Sequence, residues 1–139
     1  SHNIGYLKGE AWSNYRIGNS LIDFEKYPEA LKYLKKSSKL NEKLKDKQLE
    51  IGLKLTFGRY YNEYKLSSSL AVKEFKSALE DINGISKNKQ EQWEITTYIH
   101  LISAYSNLKK PVFVYYYARK DNLWVLNDCL SIGIVDLNF

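Results

Sequence analysis

The chain has 139 residues, of which 44% are apolar and 27% charged, with seven glycines and two prolines. That length fits one domain, and that composition excludes disordered and fibrous chains. The formal charge of +5 permits an acidic partner, but Lys32, Lys35, Lys36, Lys39, Lys43, Lys45 and Lys47 are scattered and mostly interleaved with glutamates, as on a solvated helix face. No recognition-helix pattern accompanies them, so nucleic acid is disfavoured.

Apolar residues recur at steps of three and four through almost the whole chain, which is the period of helices and not of strands. The expected fold class is therefore all-α, with six helices. The first runs from about Tyr6 to Phe24, with Leu7, Ala11, Tyr15 and Gly18 on one side. The second starts near Pro28, which suits a first helical turn, and carries Ala30, Leu31, Leu34, Ser37 and Leu40. The third spans about Lys47 to Tyr64 with a stripe of Leu49, Leu53, Phe57, Tyr61 and Tyr64.

Ser67, Ser68 and Ser69 offer caps for a fourth helix carrying Ala71, Phe75, Ala78, Leu79 and Ile82. Asn83 and Gly84 follow as a stop in which a left-handed residue is expected. Asn88 and Glu91 read as a capping box for a fifth helix with Trp93, Thr97, Leu101 and Tyr105 at four-residue steps. Pro111 opens a sixth helix through about Leu126, although Val112, Phe113, Val114, Tyr115, Tyr116 and Tyr117 are strand-favouring types. From Ser131 to Phe139, Ile132, Ile134 and Leu137 fit either an extended segment or a further helix.

Residues 4–127 are thus expected to form one helical domain, and residues 128–139 a further segment or the start of another element. A single cysteine, Cys129, allows no internal disulfide. No apolar run reaches the roughly 18 to 20 residues that cross a bilayer, and the first residues lack the regions of a signal peptide, so a soluble, cytoplasmic chain without membrane insertion is expected. A periplasmic part of a longer chain stays open. Ser1 and His2 fit the remnant of a purification tag, which would make the chain a piece of a longer one, and carry no functional reading.

The helix pairs repeat. Ala30, Leu34 and Ser37 recur as Ala71, Phe75 and Ala78 at an offset of 41, and Ile17, Gly18 and Leu21 recur as Phe57, Gly58 and Tyr61 at an offset of 40. One residue is therefore added in the intervening turn, near the serine run. Small residues let two helices approach, and large ones fill the gap between them. In this pattern the chain resembles the tetratricopeptide repeat family, over about residues 11 to 121. A third copy uses Leu101, Ile102, Tyr105, Val114 and Ala118, with Ile102 in place of the small residue and Asp121 where another small one is expected. The period near 40 exceeds the family's usual 34 and is similar to longer-helix variants in bacterial regulators and sensors.

The resemblance implies a right-handed α-solenoid of about three antiparallel helix pairs, whose first helices line a concave groove. It implies a non-catalytic scaffold that binds a peptide or protein segment there, as the sensor or docking part of a larger regulator. The groove positions carry over as Trp12, Tyr15, Asn19 and Asp23, then Leu55, Arg59, Asn62 and Glu63, then Ile99, Ser103, Ser106 and Asn107. Asn and Arg would bond a peptide's backbone or carboxylates, and aromatics would grip its apolar side chains. The family's lysine, asparagine and arginine clamp for a terminal carboxylate is kept only at Asn19, because Tyr15, Thr56, Thr96 and His100 occupy its other positions.

Nothing in the residues points to an enzyme, a cofactor or a metal. His100 is the one histidine outside the opening dipeptide and reads as a packed residue, Cys129 has no activating neighbours, and no spacing pairs Glu10, Asp23, Glu63 or Glu91. A basic module for nucleic acid and a phosphatase-like helper of a signalling protein are the alternatives, the latter by analogy alone. Tyr115, Tyr116 and Tyr117 step about 100° each around a helix, so at least one is exposed. The ordinary arrangement packs two on the preceding helix and leaves the third to shield the end of the stack or to join a second copy in a homodimer through this C-terminal region.

Overall fold

The computed structural model describes residues 3–120, which form six helices with no strand among them. They are α1 (Ile4–Asp23), α2 (Tyr27–Leu44), α3 (Lys47–Glu63), α4 (Ser68–Ile82), α5 (Lys87–Asn107) and α6 (Pro111–Arg119). The chain is all-α over this range, as the apolar period required. Asp121, Cys129 and the stretch containing Ile132, Ile134 and Leu137 lie outside the described residues.

Consecutive helices pair in antiparallel fashion. Ser37 Oγ donates to the Ala11 carbonyl at 2.8 Å while Gly18 lies against Leu34, so the start of α1 meets the end of α2. In the next pair Lys54 meets Asp81, Gly58 lies against Phe75, and Ser68 Oγ donates to Asn62 at 2.7 Å. In the third, the Tyr105 and Phe113 rings stack at 4.8 Å and Tyr98 meets Tyr117 at 5.7 Å. The expected recurrence is physical in the first two pairs: one glycine admits Leu34 and the other admits Phe75. Ala30, Leu34, Ser37, Ala71, Phe75 and Ala78 are all buried.

The first helices of the pairs lie side by side and run the same way. Tyr15 covers Gly52, Thr56 Oγ1 donates to Asn19 at 3.2 Å, and Arg59 reaches Asp23, so α1 and α3 stay in register over two turns. Asn62 then joins α3 to Ser103 of α5. α3 packs on α1, α2, α4 and α5, whereas α1 does not touch α5. Its buried residues include Leu49, Ile51, Leu53, Leu55 and Tyr60, which point in several directions, so the single stripe expected from the sequence understates how enclosed this helix is. Tyr64, placed on that stripe, is exposed.

The turns inside the pairs share one device. The α1–α2, α3–α4 and α5–α6 turns each hold a left-handed residue, Glu25 at φ 61°, Leu66 at φ 53° and Lys109 at φ 56°. In the first and third, the next amide reaches back into the helix, from Lys26 to the Leu21 carbonyl at 2.8 Å and from Lys110 to the Tyr105 carbonyl at 3.0 Å. These bonds satisfy carbonyls that a helix end leaves open. The α3–α4 turn, Tyr64 to Ser67, is one residue longer than Phe24 to Lys26, which accounts for the change of offset from 40 to 41.

Four local expectations need correction. Asn83 is right-handed at φ −63° and Gly84 has no positive φ, because the α4–α5 connection closes with ordinary turn bonds and the left-handed residues serve the turns within pairs. α5 begins at Lys87 with Ser86 at its N-cap and no side-chain cap bond, and Asn88 instead accepts from Ser86 Oγ at 2.7 Å, so the capping box does not form. Ser67 takes the N-cap position of α4 without a capping bond, since the Ser67 hydroxyl turns to Lys65 and the Ser68 hydroxyl to Asn62. Of the three tyrosines on α6, only Tyr117 packs inward, while Tyr115 and Tyr116 are exposed, because a nine-residue helix lying on one neighbour buries one face.

The α2–α3 turn carries its own left-handed residue, Lys45, at φ 54°. An L-residue in this region costs about 1 kcal/mol that glycine avoids. Lys45→Gly is therefore expected to raise unfolding free energy by about 0.5–1 kcal/mol, read as a higher urea midpoint. The side chain is exposed, so little packing is lost.

Candidate functional site

Two clusters of side chains join α1, α3 and α5 on the face where these helices lie side by side. At the first, Tyr15 lies over Gly52, where a Cβ would come within 2.8 Å of its ring and hydroxyl, and its burial pushes the phenol pKa up. Thr56 Oγ1 bonds Asn19 and also the Gly52 carbonyl, the latter at 2.9 Å. One turn further along, Arg59 Nη1 donates to Asp23 and Nε donates to Glu63, both at 2.8 Å. Tyr27 of α2 donates to Glu63 at 3.4 Å and stacks on Tyr64 at 4.9 Å between centroids.

Arg59 sits at the centre. Burial opposes its charge, but the bonds from Glu63 and Asp23 more than offset this, and its pKa is raised. Its side chain is 20% exposed while that of Asp23 is 59% exposed, so the cation is sheltered behind a carboxylate that faces outward. The face therefore offers a partner acceptors more readily than a free guanidinium.

His100, on α5, stacks on Phe75 at 5.4 Å. Burial, and then the charge of Arg59, push its pKa down to about 4, so it is neutral near pH 7. The sign of the linkage follows: an unfolded chain binds a proton at this histidine near pH 6.5 and the folded chain does so only near 4. Stability is then fully present above about pH 6.5 and is lost as pH falls towards 4. The expected result is a urea midpoint that drops from pH 7 to pH 5 in the wild type, and by less in His100→Phe. Equal drops in both would place the dependence on other groups.

Asn62 forms a second polar cluster. It is buried, accepts from Ser68 Oγ and from Asn107 Nδ2 at 3.1 Å, and donates to Ser103 Oγ at 3.3 Å. All its polar atoms bond within the chain. Ser103 is half-buried and Asn107 exposed, so a partner reaches Asn107 directly and Asn62 only by displacing its neighbours. Trp12 stands apart: its Nε1 donates to Asp46 at 3.0 Å, Arg16 lies over its ring, and it meets Tyr15 edge to face at 5.6 Å. Asp46 also caps α3 through Leu49 N and exchanges two bonds with Asn41, so Trp12 braces the α2–α3 turn.

Of the expected groove positions, the structure brings Tyr15, Asn19, Asp23, Arg59 and Glu63 together, and places Asn62, Ser103 and Asn107 beside them at the α3–α5 junction. Leu55 is in the core, and Ile99 and Ser106 are half-buried on α5. Tyr27 was not foreseen, because it is on a second helix and only the folded turn carries it to Glu63. The Arg59–Glu63 pair had a signal, since oppositely charged residues four apart meet on a helix.

A cleft of about 590 Å³ lies elsewhere, between the end of α2 and α3–α4, lined among others by Asn41, Glu42, Lys45, Lys54 and Glu74. Burial raises the Glu74 pKa, and Lys54 is held by Asp81 and Glu50. None of the groove positions lines it. Lys32, Lys35, Lys36, Lys39 and Lys43 are exposed on α2, away from the three helices that carry the groove residues. Among the described residues no group of three or more His, Cys, Asp and Glu is placed to hold a metal, and no helix is long and apolar enough to cross a membrane. No protein-family model, curated protein or solved structure matches the chain.

Proposed function

We propose that the chain is a tetratricopeptide-like α-solenoid of about three helix pairs, which serves as a non-catalytic scaffold and holds a peptide or protein segment along the face of α1, α3 and α5. The observation that carries this reading is the meeting of Tyr15, Asn19, Asp23, Arg59 and Glu63 from two parallel helices, with His100 of the third close enough for the Arg59 charge to act on it. Asp23 and Asn19 offer acceptors to backbone amides and cationic side chains. Tyr15 offers an aromatic edge. Asn62, Ser103 and Asn107 set the spacing of α3 and α5, and Trp12 fixes the far end of α1. As a docking part of a larger regulator, such a face would couple partner binding to whatever the rest of that protein does.

The test is selection of displayed random peptides against the folded chain, followed by measurement of Kd for wild type, Asp23→Ala and Arg59→Ala. Asp23 is exposed, whereas Arg59 is sheltered and ties α3 to α1 through Asp23, so each variant's urea midpoint is measured beside its Kd and weaker binding counts only where the fold is kept. Loss of a charge-assisted contact corresponds to about tenfold weaker binding. Selected peptides that bind all three forms equally would remove the groove from consideration. Binding lost instead with Lys36→Glu and Lys39→Glu would move the site to α2.

A further inference from the structure

Among the described residues α2 and α4 have no contact with each other, so the side of α3 between them is left partly open. That opening is the cleft of about 590 Å³, walled by the end of α2 and by Glu74 of α4, with Leu53 and Phe57 of α3 as its apolar part. Its volume is in the range that takes up small organic molecules. At about 100° per residue, Glu50, Leu53, Lys54 and Phe57 lie about 140° around α3 from Gly52, Thr56, Arg59 and Glu63. The cleft is therefore separate from the face of α1, α3 and α5.

The polar groups around the cleft are unequally satisfied. Lys54 is held by Asp81 and Glu50, and Lys47 by Glu50 at 3.5 Å. Both ends of the Asn41 amide are engaged with Asp46, and Lys45 is exposed to water. Glu74 differs, being half-buried with no hydrogen bond or ion pair among the described residues. Burial pushes its pKa up, outweighing the opposite effect of the Lys54 and Lys73 charges, so water is partly removed from this carboxylate and no donor replaces it. A cation placed there would gain a charge-assisted bond without displacing a partner. An anion would find Lys54 and Lys47 already neutralised and would face Glu42 and Glu74.

We propose that this cleft is a binding site for a small organic cation, an ammonium or guanidinium group on an apolar body, whose charged head pairs with Glu74 and whose body lies against Leu53 and Phe57. The site reads charge and apolar bulk together, since neither a bare ammonium ion nor a neutral hydrocarbon uses both parts.

The experiment is an NMR titration of the isotope-labelled full chain near pH 7 with phenylbutylammonium, beside neutral phenylbutanol and anionic phenylbutyrate. Saturable shifts are expected at the amides of Leu53, Phe57 and Glu74 with the ammonium probe. Phenylbutanol should bind at least about tenfold more weakly, for want of one charge-assisted contact, and phenylbutyrate not at all. Glu74→Gln should weaken the ammonium probe by at least about tenfold and leave phenylbutanol unchanged. Because Glu74 has no bond to lose, the urea midpoint of this variant should hold or rise. The proposal is overturned by no saturable shift, by equal affinity for the three probes, by an unchanged Kd in Glu74→Gln, or by shifts centred on Asp23 and Glu63. Should Glu74→Gln fail to fold, the wild type decides through the three probes: preference for the cation at Leu53, Phe57 and Glu74 supports the site, and no preference overturns it.

Discussion

Gly58→Ala is expected to destabilise the chain by about 1–3 kcal/mol, the cost of forcing volume into a filled core, although the same change inside a helix ordinarily gains up to about 1 kcal/mol. The added Cβ would overlap the Phe75 ring, with Cδ1 and Cζ both at 2.8 Å, and Phe75 is 1% exposed with nowhere to move. Gly9 is the control, because nothing lies within 4 Å of the position its Cβ would take; Gly9→Ala should stabilise. Phe75→Ala alone should cost about 3–5 kcal/mol through the cavity it leaves. Combined with Gly58→Ala it should cost clearly less than the sum, since the new methyl enters the vacated space. Urea denaturation of the four forms closes the cycle. Strict additivity would mean that the ring and the glycine do not meet.

Asn62→Ala is expected to cost about 1–3 kcal/mol, the penalty for leaving buried polar groups without partners. The change strips the buried Ser68 hydroxyl of its acceptor and breaks the bonds that reach Ser103 and Asn107 on α5. Its signature is local as well as global: amides of α5 near Ser103 should exchange faster, while those of α1, tied to α3 at Asn19 and Asp23, should change little. A cost under about 0.5 kcal/mol, the range of ordinary surface changes, would show that water replaces the lost partners. Asn62 is therefore a poor probe of binding, because a weakened partner could report a loosened α5 and not a lost contact.

The all-helical architecture was legible because apolar spacing of three and four residues persists through each helix, and the first two repeats because Gly18 with Leu34 and Gly58 with Phe75 are steric pairs that sequence writes openly. The turns were less legible. Glycine and asparagine mark left-handed residues only when the backbone has a free choice, and here Glu25, Leu66 and Lys109 take that conformation because packing of each pair fixes where the chain must reverse. Ser86 took the N-cap position in place of Asn88, two residues on, and its hydroxyl donates to the Asn88 side chain, so the oxygen that a capping box would use is engaged. The site was half legible. The family resemblance implied a shared face for Tyr15, Asn19, Asp23, Arg59 and Glu63, but such a carry-over does not separate a residue facing outward from one, like Asn62, that faces the neighbouring helix.

The position of α3 has a consequence for how the molecule gains and loses its structure. Among the described residues the first and third pairs have no contact with each other, so each meets the other helices through the second pair. Cooperativity in such an arrangement passes between neighbours and not across a common centre. Folding can begin in any pair and spread, with mostly short loops to close, which favours speed. Unravelling can begin at either flank and stall at the middle. α3 is thus the last segment to let go, and a molecule bound across all three first helices would weld two otherwise independent flanks into one unit.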